Sequence, residues 1–205
     1  MTSRLHTHLC DVLGIRYPIL NAGIGPAAGP ELAAAVTNAG GFGVLGGGGM
    51  PLEAMRQRVE RTRSLTSGPF GINVITDEPL ATEDLEQVAG LAAMGVAAIV
   101  LFWGDPTPHV EAVHSHGAKL LVQVGSLDEA RRAARAGVDA VIAQGVEAGG
   151  HVRGTTSIWE LLPDTVRALK PLPVLASGGI ADGETLAKAL EFGGNQLQLS
   201  SHSSS

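Results

Sequence analysis

Segment 144–154, QGVEAGGHVRG, gathers four different functional groups on one short stretch of chain. Gln144 offers a carboxamide, Glu147 a carboxylate, His151 an imidazole and Arg153 a guanidinium, with Gly149 and Gly150 between them. An unperturbed imidazole titrates at about 6.5, so His151 is the natural proton acceptor at neutral pH. A lone histidine on a loop is ordinary surface. Here the polar groups follow an apolar run, AVIAQ, and precede a helical pattern that begins near Ser157. That places them at the C-terminal end of a strand, where parallel α/β folds put their chemistry.

Segment 173–183, PVLASGGIADG, is a second candidate. Ser177, Gly178 and Gly179 fall between a strand and a helix starting after Asp182. Backbone N–H groups and a helix N-terminus in that arrangement hold a phosphate without a lysine. Asn73 in FGINV and Gln123 in LLVQVGS are carboxamides inside apolar runs and must find hydrogen-bond partners. With Gln144 they form a polar ring that suits a heterocycle with donors and acceptors on its edge.

These positions need a frame. Short runs rich in Val, Ile and Leu alternate with longer Ala-rich stretches of helical period. Strands are expected at 18–22, 41–45, 70–75, 97–102, 119–124, 140–144, 173–176 and 196–200, and helices at 30–39, 51–66, 82–94, 108–116, 127–136, 158–169 and 183–192. Strand–helix repetition implies a parallel sheet, and eight units imply a closed (β/α)8 TIM barrel. An open doubly wound sheet would more often carry GxGxxG after its first strand; GIGPAAG lacks that spacing. Many of the 28 glycines cluster at strand ends, where backbone can approach a ligand closely.

Composition narrows the function classes. The chain has 205 residues, 44% hydrophobic and 17% charged, enough for one well-cored domain. A net charge of −6 argues against nucleic-acid and membrane partners, and Arg56–Arg63 reads as an exposed helix face. Cys10 is the single cysteine, so no internal disulfide forms, and it reads as a small hydrophobe. His114 and His116 stand two apart on a helix and do not share a face; no metal site is expected. No apolar run spans a bilayer and the N-terminus lacks signal-peptide order, so a cytoplasmic protein is expected.

The sequence resembles the nitronate monooxygenase family, formerly called 2-nitropropane dioxygenases. LGIRYPILNAG, GPELAAAVTNAGGFGVLGGG, PFGINVI, GAKLLVQVGSLDEARRAARAGVDAVIAQGVEAGGH and PVLASGGIADG follow in family order, and QGxEAGGH is the most specific of them. The resemblance implies an FMN-dependent barrel that oxidises alkyl nitronates or nitroalkanes with O2 to a carbonyl compound and nitrite. By position it implies His151 as the catalytic histidine. Asn73, Gln123, Gln144 and Gly149 would lie near the flavin ring, with Ala22, Gly23 and Gln198 as further cofactor contacts. Ser177, Gly178 and Gly179 would hold the phosphate. Two departures stand out. Asn21, Ala22, Gly23 and Ile24 replace the usual Gln-Ala-Pro-Met, and Ser200 and Ser201 replace a Gly-Thr pair. The expectation is a barrel over 1–199, truncated after its eighth strand and lacking its last helix, with a disordered tail at 200–205. Homo-oligomerisation fits the family. Two further functions are an FMN-dependent enoyl-acyl-carrier-protein reductase or similar NAD(P)H–flavin oxidoreductase, and a non-catalytic flavin-binding fragment.

Overall fold

The apolar runs become strands that are buried on both faces, one by the barrel interior and the other by helices. The computed structural model describes residues 5–76, 84–193 and 196–199, the last four as backbone. The strands are β1 (Ile19–Asn21), β2 (Gly43–Gly46), β3 (Phe70–Ile75), β4 (Ala98–Phe102), β5 (Lys119–Val124), β6 (Ala140–Gln144), β7 (Val174–Ser177) and β8 (Gln196–Leu199). Each lies within two residues of its expected limits. All pairings are parallel, in the order β1-β8-β7-β6-β5-β4-β3-β2. A bridge between Leu20 and Phe42 closes the ring from β1 to β2. The fold is therefore the expected (β/α)8 barrel through its eighth strand. Residues 200–205, expected to be a disordered tail, lie outside the described residues.

The β1–β2 seam is thin, and a side chain reinforces it. Asn21 Nδ2 donates to the Val44 carbonyl at 2.8 Å, and the Val44 N–H donates to Asn21 Oδ1 at 2.8 Å. One carboxamide thus does the work of a pair of ladder bonds. The departure at Asn21 is a barrel clasp.

The helices are α1 (His8–Leu13), α2 (Pro30–Asn38), α3 (Leu52–Leu65), α4 (Leu85–Ala92), α5 (Val110–His114), α6 (Leu127–Ala136), α7 (Ile158–Leu169) and α8 (Gly183–Glu191). The sequence reading missed α1. Its Leu9, Cys10 and Leu13 cluster with the inward-facing Leu20, Phe42, Val44, Ala98, Val100, Leu121, Ala140, Ile142 and Leu175. Because Phe42, Ala98 and Ala140 stand at or before strand starts, α1 plugs the N-terminal end of the barrel. Cys10 is fully buried there, as its hydrophobe reading requires. The outer core joins strand residues such as Ile72, Val74, Ile99, Leu101, Val122 and Val141 to Met55, Val88, Leu91, Ala130, Ala133 and Leu162 of the helices. The open end is the C-terminal one.

The face Arg56–Arg63 is only partly a free surface. Arg58 Nη1 donates to the Gly46 carbonyl at 2.9 Å and Nη2 to Pro26 at 3.2 Å, bracing the loops after β1 and β2. Among the described residues no helix is long and apolar enough to cross a membrane.

Candidate functional site

The loop after β6 is held in shape by its own polar residues. Gln144 Nε2 donates to the His151 carbonyl at 2.9 Å, and the Arg153 N–H donates to Gln144 Oε1 at 3.2 Å. The carboxamide expected to face a ligand ring is thus engaged with the loop backbone. Glu147 has a similar duty. Its carboxylate accepts from Ser157 Oγ at 2.5 Å and from the Ile158 N–H at 3.0 Å, capping the start of α7. Burial raises the Glu147 pKa, but these two donors outweigh it and hold the carboxyl below its ordinary value. A carboxyl lowered in the folded chain stabilises fully above its unfolded pKa and loses that stabilisation as pH falls through the folded one. Acid should therefore release this cap only below the ordinary glutamate range. Glu147→Gln is expected to cost about 1 kcal/mol at neutral pH and to flatten the acid limb of a plot of thermal midpoint against pH.

Arg153 Nε donates to Glu129 Oε1 at 2.8 Å, and Glu129 Oε2 accepts from the Gly125 N–H at 2.8 Å. These bonds tie the loop to the start of α6. His151 remains exposed. Its ring stands edge-on to Phe102 at 6.4 Å and Trp103 at 6.3 Å between centroids. The imidazole is therefore solvent-accessible beside an aromatic pair.

The other expected rim residues divide into two groups. Asn73 folds its amide onto the strand, donating to the carbonyls of Val74 at 3.1 Å and Val100 at 3.2 Å. Gly23 packs on it so closely that a Cβ there would lie 2.3 Å from Asn73 Cβ. Ala22 and Gly23 therefore border the rim, with Asn73 fixed beneath them. Gln123 and Ser177 are different. Both are buried, yet neither side chain makes a hydrogen bond among the described residues. They keep their polar capacity for something at the mouth. Ser177 is level with Gln144 on β6 and Gln198 on β8. The Gln198 side chain lies outside the described residues.

Gly178 and Gly179 follow with φ of 96° and 70°, a conformation that side chains resist, and Gly178 packs so closely on the loop after β6 that a Cβ there would lie 2.7 Å from the Ala148 nitrogen. The N–H groups of both glycines donate to no backbone or side-chain acceptor among the described residues. The helix behind them is less available than the sequence implies. Asp182 caps α8, accepting from the Thr185 N–H at 2.8 Å, and this bond lowers its own pKa. A carboxylate thus already occupies that helix end. Any anion here would rest on the glycine N–H groups. Gly149 borders open space: a Cβ added to it would meet nothing within 4 Å.

The sequence reading overlooked Trp103. It follows β4 with φ of 68°, the left-handed region that a bulky residue enters only under constraint. It stacks on Phe102 at 4.2 Å and lies under the Arg153 guanidinium at 5.5 Å. The positive φ of a non-glycine residue is a signal that only the structure carries. Two other histidines have duties of their own. His114 Nε2 contacts Asp139 Oδ2 at 2.7 Å, and His109 is buried with its pKa lowered by that burial. No group of potential metal ligands occurs among the described residues.

The profile of the family described as nitronate monooxygenase matches residues 6–202. An octahydro-indene carboxyl-CoA dehydrogenase of Rhodococcus jostii is 34% identical over 93% of this chain and 53% of its own length. A nitronate monooxygenase of Paraburkholderia phytofirmans is 36% identical over 93% of this chain and 64% of its own. The solved structure of FabK from Thermotoga maritima superposes with a TM-score of 0.87 at 37% identity, covering 94% of this chain and 60% of that one. The chain thus spans between about half and two thirds of the length of these relatives. With the barrel and the QGVEAGGH loop at its mouth, the family match over nearly the whole chain shows that it belongs to the nitronate monooxygenase family, a family of oxidoreductases.

Proposed function

We propose that the barrel mouth binds FMN and oxidises alkyl nitronates or nitroalkanes with O2 to a carbonyl compound and nitrite, with His151 as the base. The observation that carries this reading is the mouth itself. The exposed His151 ring, the open space at Gly149, and the Gln123 and Ser177 side chains and Gly178 and Gly179 N–H groups, which have no hydrogen-bond partner among the described residues, all lie in or after the C-terminal halves of their strands. This set fits a flavin phosphate with a polar ring edge. Gln123 and Gly149 would border the ring, while Ser177, Gly178 and Gly179 would hold the phosphate. Ala22, Gly23, Asn73, Gln144 and Gln198 complete the rim. When bound, FMN would supply the electron transfer.

The protein's own part is proton handling and orientation. His151 would take the proton from the carbon beside the nitro group, leaving the nitronate. Gln144 and Glu147 hold the loop that presents it. Phe102 and Trp103 form an apolar wall against which an alkyl group packs.

The deciding experiment is an absorption spectrum of the purified protein with and without added FMN, followed by nitrite release from propionate 3-nitronate under air. FMN-loaded protein that releases no nitrite removes this reading. Gly149→Ala gives a finer check. The protein has room for the methyl group, so its thermal midpoint should not change without cofactor. FMN affinity should fall about tenfold, because the methyl enters the space assigned to the ring.

A second reading is a flavin-dependent dehydrogenase or reductase on a larger substrate, such as an enoyl-thioester. The 34% identity to a protein named as a carboxyl-CoA dehydrogenase favours it. Consumption of NAD(P)H or of a thioester without nitrite release separates the two.

A further inference from the structure

Beside the mouth lies a cleft of about 470 Å³, within the range of small-molecule sites. Val122, Gln123 and Val124 of β5 form its floor, the loop 103–107 one wall, and α6 the other. Arg153 closes it toward the His151 loop.

The charges of the cleft are unequally engaged. Its two carboxylates are both committed: Asp105 accepts from Thr107 N and Oγ1, and Glu129 accepts from Gly125 and Arg153. Of its three guanidiniums, Arg132 and Arg135 form no salt bridge or hydrogen bond among the described residues, although Arg132 is near enough to Asp105 to add to the Thr107 hydrogen bonds that hold that carboxyl below its ordinary value. Their neighbour Arg131, on the same helix, pairs with Asp128 at 3.4 Å. Two guanidiniums without a hydrogen-bonded carboxylate among the described residues thus stand on one wall of a concave site in a chain of net charge −6.

Two side chains of low exposure that line the same cleft also lack hydrogen-bond partners among the described residues. Gln123 is 3% exposed and its carboxamide makes no hydrogen bond among the described residues. Trp103 is 7% exposed, and its Nε1–H has no acceptor among the described residues. An unsatisfied buried donor such as the Trp103 Nε1–H carries a standing cost that a polar ligand would relieve, and the Gln123 carboxamide is open to the same ligand.

We propose that this cleft binds the phosphate-bearing handle of a nucleotide-type ligand, with Arg132 and Arg135 on the phosphates, while the other end of that ligand reaches the mouth past Gln123 and Arg153. Guanidinium and phosphate match in charge and geometry. A small nitronate has no use for such a site. The proposal rests on the mouth being the reaction site, and it assigns the co-substrate or substrate class that would enter it: a dinucleotide or a coenzyme A thioester, which share a nucleoside diphosphate.

Trp103 and Trp159 are the two tryptophans, so Trp159→Phe leaves Trp103 as the sole indole reporter. Adenosine diphosphate, NADP and coenzyme A are each titrated into this protein, with and without saturating FMN. The expected result is saturable quenching by all three, tighter for whichever larger molecule is the natural source, and weakened by salt. Arg132→Gln with Arg135→Gln should weaken binding at least tenfold at unchanged thermal midpoint, while Arg131→Gln should leave it intact. The proposal is overturned if no probe saturates at about 1 mM, if the double variant binds as the parent does, or if adenosine diphosphate displaces FMN. Flavin binding and nitrite release are measured separately, so loss of either one leaves the outcome for the cleft readable.

Discussion

His151→Ala is expected to lower turnover of a neutral nitroalkane by about 10²-fold or more, the scale of a lost general base, while turnover of the corresponding nitronate falls far less. The difference follows from the chemistry of the two substrates. The nitroalkane must lose a carbon-bound proton before it can be oxidised, and the nitronate has already lost it. The geometry makes the substitution clean. The His151 ring is exposed and meets its neighbours through ring edges, at 6.3 and 6.4 Å. What anchors the loop is the His151 carbonyl on Gln144, which alanine keeps. The loop should therefore survive, and FMN affinity should stay within a few-fold of the parent. Both substrates are compared at saturation, with kcat and KM separated. Equal losses for nitroalkane and nitronate would make His151 a residue that positions either substrate. Partial recovery of nitroalkane turnover by added imidazole would secure the base assignment.

Much of the architecture was legible because barrel strands are covered on both sides. Runs such as AIVLF and KLLVQV are continuous and apolar, and β3, β5 and β6 fall on their expected residues. The six-residue helix α1 was not legible, since HLCDVL is too short to display a period. The site was half legible. Residue types at strand ends located the mouth, but what each carboxamide bonds to is decided by distant backbone. Gln144 is captured by residues seven and nine positions later, and Asn73 by a carbonyl on the neighbouring strand. Gln123 has the same chemistry and escapes such capture. Nothing in three apolar strands that each carry a carboxamide near the C-terminal end distinguishes these fates. Trp103 was hidden for another reason. The left-handed turn after β4 begins on an indole and continues on Gly104, where a sequence reading would place it first.

Asn21 shows how far a single departure from a family pattern can carry structural weight, and its replacement has the second large expected effect. Val44 is fully buried, and both its N–H and its carbonyl depend on the Asn21 carboxamide at 2.8 Å. Asn21→Ala leaves two buried backbone groups without those partners. At about 1–3 kcal/mol for each such group, the pair should cost about 3 kcal/mol. For a chain of this size that lowers the thermal midpoint by about 6–12 °C. Asn21→Asp should also destabilise at neutral pH. Its carboxylate can still accept from the Val44 N–H, but it sets a second oxygen against the carbonyls of Val44 and Ala22 in place of the donor. Protonation restores a donor, so the aspartate variant should recover part of its lost stability as pH falls toward the carboxylate range, and the alanine variant should not. Thermal melts of both variants across pH, without FMN, read this directly. A role for Asn21 confined to cofactor binding predicts the opposite pattern: unchanged melts and a loss of FMN affinity alone. The clasp lies one residue before Ala22 and Gly23, so its loss should also loosen the rim above Asn73. In this barrel the seam and the mouth are joined through the same short strand.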